Sequence, residues 1–113
     1  MVPRIVAIGT LTLALAACGG GREVPQPEFV GRTLQVETRS GQTSTLSFRR
    51  DGEVTARFGE RATEGRWRLD KRRLCFIWAG DFRECWPYTA PFRRGRTTTI
   101  TSDRGNVVKV TMR

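Results

Sequence analysis

The 113-residue chain contains no histidine. The commonest general base and the commonest metal ligand are therefore both missing, and no spacing of Asp, Glu, Ser or Thr argues for a catalytic site in their place. The expectation is a non-enzymatic protein with no cofactor and no metal. Cysteine is scarce too: only Cys18, Cys75 and Cys85 occur, with no C-x-x-C pair to suggest redox work. Long apolar runs are lacking. The stretch Ile5–Ala17, broken by Gly9, Thr10 and Thr12, is well short of the roughly 20 residues a membrane-crossing helix needs. No segment repeats with a helical period. Lysine is nearly absent, so eighteen of the 20 basic residues are arginine, against 11 acids.

What is present at the N-terminus is an export signal. One positive charge (Arg4), an apolar core and the small residues Ala16 and Ala17 precede Cys18, the arrangement of a secretory signal peptide. Leu15-Ala16-Ala17-Cys18 resembles the lipobox of bacterial lipoproteins. That resemblance implies cleavage before Cys18, a diacylglycerol on its thiol, and attachment to a membrane facing an oxidising compartment. The alternatives are a plain signal peptide with Cys18 there by chance, or a membrane span, which the short run argues against. An odd cysteine count in an exported protein leaves one thiol over. Lipidation of Cys18 uses it and leaves Cys75 and Cys85 to pair. The resemblance also implies, for a gram-negative host, that glycine rather than aspartate at position 19 favours the outer membrane, facing the periplasm. The expected organisation is a signal peptide over 1–17, a lipidated cysteine and flexible tether over 18–31, and one small domain over 32–113. The tether reading rests on four glycines, two prolines and no periodicity between Gly19 and Gly31. Fully extended, it would reach roughly 40 Å at about 3.3 Å per residue.

From Leu34 onward the apolar residues alternate with period two, and turn residues punctuate them. Strands are expected around Leu34–Val36, Leu46–Phe48, Val54–Phe58, Trp67–Leu69, Leu74–Trp78, Arg83–Tyr88, Arg96–Thr101 and Val108–Met112. Ser40-Gly41, the loop Gly59–Thr63, Asp70–Arg72 and Asp103-Arg104-Gly105 separate them, and Asp51-Gly52 is the strongest hairpin signal. Short links imply antiparallel neighbours. The fold class is therefore all-β, an up-and-down meander of about eight strands. A small closed or nearly closed barrel removes exposed edges; an open, strongly curved sheet is the alternative.

Cys75 and Cys85 flank a hairpin centred on Gly80, which would set them opposite one another within disulfide reach. So small a ring should contribute about 2–3 kcal/mol. The hairpin is apolar on both faces. Leu74, Phe76, Trp78, Phe82 and Trp86 share one parity, and Cys75, Ile77, Arg83 and Cys85 the other. Either the aromatic face joins the core with Trp67 and Phe48, or Trp78 or Phe82 near the tip stays out as a contact for a partner.

Formal net charge is +9. GC-rich codon usage, which favours arginine over lysine, is the plain reading of this basic composition; attraction to anionic partners is the functional reading. Export argues against nucleic acid, leaving anionic lipid, lipopolysaccharide, the cell wall or a protein partner. In an eight-strand meander alternate turns share an end. Lys71, Arg72, Arg73, Arg93, Arg94 and Arg96 then gather with Arg32, Arg49, Arg50 and Arg113 where the tether arrives. A lipid chain plus a polybasic patch is a two-part anchor. The opposite end is mixed in sign.

The lipobox, the eight-strand pattern and one disulfide resemble small periplasmic β-barrel lipoproteins, some of which inhibit lysozymes or proteases. Gly65-Arg66-Trp67, Leu74-Cys75, Trp78 and Cys85-Trp86 resemble small uncharacterised envelope lipoproteins of proteobacteria. The expected function is a lipid-anchored envelope module that binds anionic components or a partner protein. Inhibition of a hydrolase is the alternative.

Overall fold

The structure, a computed structural model, describes residues 26–113. The expected signal peptide, Cys18 and most of the expected tether lie outside the described residues. Eight strands run in chain order: β1 Thr33–Thr38, β2 Thr43–Phe48, β3 Glu53–Phe58, β4 Arg61–Asp70, β5 Arg73–Trp78, β6 Phe82–Pro87, β7 Thr97–Thr101 and β8 Val107–Met112. All pair antiparallel in one sheet of order β6-β5-β4-β3-β2-β1-β8-β7. Each strand follows its chain neighbour except at one place. β1 pairs with β8, and β6 and β7 face each other across a seam without a strand ladder. The sheet is thus a nearly closed barrel.

Period-two alternation sorts the side chains. Leu34 and Val36, Leu46 and Phe48, Val54 and Ala56, and Val108, Val110 and Met112 are buried inside, and the residues between them face out. Burial of each large side chain contributes about 1.5–3 kcal/mol relative to exposure. Three hairpins use one turn design. The amides of Gly41, Gly52 and Gly105 donate to the carbonyls of Thr38, Arg49 and Ser102 at 2.9, 3.2 and 2.9 Å. All three glycines have positive φ, as expected of a type I turn closed by a left-handed residue.

Two expectations need correction. The stretch 59–63 is not a loop: Arg61, Ala62 and Thr63 already belong to β4, paired with Phe58, Arg57 and Ala56. Their alternation continues that of Trp67 and Leu69, but small side chains at Thr63 and Gly65 hide the signal. The domain also begins earlier than residue 32. Phe29 is fully buried, Val30 bridges to Phe48, and the Val30, Gly31 and Arg32 amides donate to Pro27, Phe48 and Phe29 carbonyls. An aromatic ring between glycine- and proline-rich neighbours found a hydrophobic pocket and folded its segment with it.

Candidate functional site

The two ends of the barrel differ. At the end where the chain enters, aromatic side chains form a plug. Phe29 lies 4.7 Å from Phe48, 5.3 Å from Trp67, 5.9 Å from Tyr88 and 6.1 Å from Phe92, ring centre to ring centre. The distances and tilted or edge-on geometries suit aromatic quadrupoles. The Glu28 carboxylate fixes the plug. It accepts from the Tyr88 hydroxyl at 2.6 and 2.7 Å, and from the Phe92 amide at 2.8 Å. Burial first, and the hydrogen bond to Glu28 second, push the Tyr88 phenol well above its ordinary range.

Around this plug stand the turns β2–β3 and β4–β5, the β6–β7 link, the start of β1 and the end of β8. The antiparallel order therefore brings Lys71, Arg72, Arg73, Arg93, Arg94 and Arg96 to one end with Arg32, Arg50 and Arg113, all exposed. None of the first six makes an ion pair among the described residues. Arg49 is different. It reaches Glu53 and Glu64 at 2.9 Å each and donates to Thr55, so its charge is already matched. The Glu53 hydrogen bond, then that of Glu64, pushes the guanidinium further above its ordinary value.

The opposite end opens into an apolar cavity of about 290 Å³. Val36, Leu46, Phe76, Trp78, Trp86 and Val108 supply its apolar walls, with Phe58, Glu84 and Asn106 also lining it. Composition did not disclose this cavity. Its signal was the small residues Ser44, Ala56, Thr63 and Gly65 at inward-facing register positions, where larger side chains would fill the bore.

The seam is closed near this same end by the β7–β8 turn. The Cys85 amide donates to the Asp103 carboxylate at 2.8 Å, and the Asp103 amide donates to the Cys85 carbonyl at 3.0 Å. Arg104 donates to the Arg83 carbonyl at 2.7 Å, and its guanidinium lies 4.2 Å from the centre of the Phe82 ring. Ser102 and Asn106 both donate to one Glu84 oxygen at 2.6 Å. Behind the seam Cys75 and Cys85 are directly opposed and disulfide-bonded, with Cα atoms 4.0 Å apart, and both are buried.

The hairpin places its aromatic face inward: Leu74, Phe76 and Trp86 are buried. Trp78 is half-buried and stacked on Phe76, so as an exposed contact it is corrected to a cavity wall. Phe82 is 42% exposed, beneath Arg104. Phe82 keeps its register opposite Trp78, and as the first residue of β6, beside the tip at Gly80 and Asp81, it stands at the barrel's end.

Among the described residues no three Cys, Asp or Glu side chains gather to hold a metal ion. Among the same residues no helix is long and apolar enough to cross a membrane. Comparison with protein-family models, with curated proteins and with solved structures finds no match to this chain.

Proposed function

We propose that this chain is a lipid-anchored, non-catalytic binding module of the cell envelope. In this reading Cys18 carries the lipid at the outer membrane, and the barrel projects into the periplasm. The partner is an anionic surface: phospholipid headgroups, lipopolysaccharide phosphates or the cell wall. The observation that carries the reading is the coincidence of two features at one barrel end. The chain enters there, and six exposed cations without ion pairs among the described residues stand around the entry point. The diacylglycerol on Cys18 would hold the chain at the membrane, and a polybasic surface adds an electrostatic contact that turns this end of the barrel toward an anionic leaflet. Each cation near an anionic leaflet adds up to about 1 kcal/mol.

The test is fractionation of Cys18→Ser expressed in the native host. Fatty-acid labelling should disappear, and the protein should move to the soluble fraction on a salt wash, because salt screens the remaining charge attraction. Unchanged labelling would end the lipoprotein reading. The alternative, an inhibitor of a lysozyme or protease, draws on the exposed Phe58 and Phe82 at the end away from the tether. Inhibition of such an enzyme at equimolar protein, lost in Phe82→Ala, would favour it instead.

A further inference from the structure

The cavity at the end away from the tether is not used by the proposed anchoring surface, and its shape has a specific cause. Trp78, near the mouth, is large enough to occlude the bore. Its ring instead lies flat against the wall, stacked on Phe76 with centres 5.7 Å apart and planes 10° from parallel. Gly65 on the neighbouring strand makes room for that position: a Cβ there would sit 2.5 Å from the Trp78 ring. Ala56 and Ser44 keep the facing wall low. An eight-stranded barrel is wide enough either to be filled by its own side chains or to hold one small ligand. Here the inward positions near the mouth leave it unfilled, with exposed Phe58 and Asn106 at the opening.

The chemistry of the wall narrows the ligand. Among the described residues Glu84 is the one ionisable side chain lining the cavity, in a chain whose net charge is +9. Arg39, Arg57, Arg61, Arg83 and Arg104 stand at this end of the barrel, but none lines the cavity. Ser102 and Asn106 hold one Glu84 oxygen, while the other accepts no hydrogen bond among the described residues. A carboxylate without an ion pair there, beside Trp78, Trp86 and Phe76, matches a cation carried on an apolar body. The carboxylate accepts the N–H groups, and the aromatic faces attract the positive charge.

We propose that the barrel mouth binds a small amphiphilic amine, with its apolar body in the bore and its ammonium group at Glu84. The test uses the full chain held in nanodiscs of zwitterionic lipid, with empty discs as blank. Isothermal titration compares phenethylamine, phenethyl alcohol and hydrocinnamate: one aromatic body with a cationic, a neutral and an anionic head. The amine should bind about tenfold tighter than the alcohol, and the carboxylate most weakly. Glu84→Gln keeps an acceptor for Ser102 and Asn106 but removes the charge. It should bring the amine down to the level of the alcohol and leave the alcohol unchanged. Ser44→Leu, which fills the bore, should weaken all three. Arg93→Gln with Arg94→Gln at the other end should alter none of them, which separates this site from the anchoring surface. Equal affinity for the three probes, no binding of any, or an amine preference that survives Glu84→Gln would overturn the proposal. The order of affinities in the unaltered protein decides the matter if Glu84→Gln does not fold.

Discussion

Tyr88 is the one tyrosine of the chain, so phenolate absorbance reads a single group. Its neutral hydroxyl donates to Glu28, and a phenolate there would face a carboxylate in a partly buried site. The folded-state value is therefore raised above the unfolded one. The stability it contributes is complete below the ordinary phenol value of about 10 and is lost as pH rises through and beyond it. Spectrophotometric titration of the folded protein should show no phenolate at pH values where a free tyrosine is half ionised. Tyr88→Phe should lower stability near neutrality by about 1.5–3 kcal/mol, the scale of a hydrogen bond to a charged group, and flatten the alkaline fall of the melting temperature. A normal phenol titration would contradict the Glu28–Tyr88 pairing. Phe29→Ala tests the same plug from its centre. Emptying a fully buried aromatic site should cost about 3–5 kcal/mol, whereas a residue in a free tether would cost nothing measurable by denaturant unfolding. Glu28 and Phe29 were not legible as structure, because local composition around them is that of a linker. Their partners Tyr88 and Phe92 are about sixty residues away, and only closure of the barrel brings them together.

At the scale of the element, alternation located most of the strands, the continuous apolar run Leu74–Trp78 and the β-branched threonines before Thr101 marked others, and the turn glycines located most of the links. The disulfide hairpin was legible in detail because a register centred on Gly80 leaves one pairing for Cys75 and Cys85, and they are opposed in the structure. Reducing this bond should lower stability by about 2–3 kcal/mol, read from denaturant midpoints with and without reductant. No change on reduction would mean that the barrel closes without the staple. The seam between β6 and β7 was not legible. It is held by the β7–β8 turn, through its side chains and the Asp103 amide, rather than by a strand ladder, and no periodicity marks such contacts. Asp103→Ala removes the acceptor of the Cys85 amide. That amide should then exchange with solvent much faster, while amides in the β1–β2 ladder keep their protection. Equal loosening of both would mean that Asp103 supports the whole barrel rather than the seam.

Over the whole molecule, the meander separates two surfaces. One end is plugged by aromatic rings and ringed with arginine and lysine, and the chain enters there. The other end holds the cavity and charges of both signs. This polarity was legible from strand counting, since turns two apart in an antiparallel meander must share an end. The cavity was not, because small residues at inward positions read as weak strand signals rather than as space. The central claim is that charge at the plugged end, and not net charge alone, meets an anionic surface. Two triple variants remove equal charge from the two ends: Arg72, Arg93 and Arg94 to glutamine, or Arg39, Arg57 and Arg61 to glutamine. Each is made in a chain beginning at residue 18 with Cys18→Ser, so that no lipid contributes. The decisive measurement is cosedimentation with vesicles rich in anionic phospholipid, across a salt series. The account predicts that the unaltered chain binds at low salt and is released as salt rises, that the first triple largely abolishes binding, and that the second leaves most of it. Equal loss from the two triples would contradict the account, because adsorption would then follow net charge without orientation.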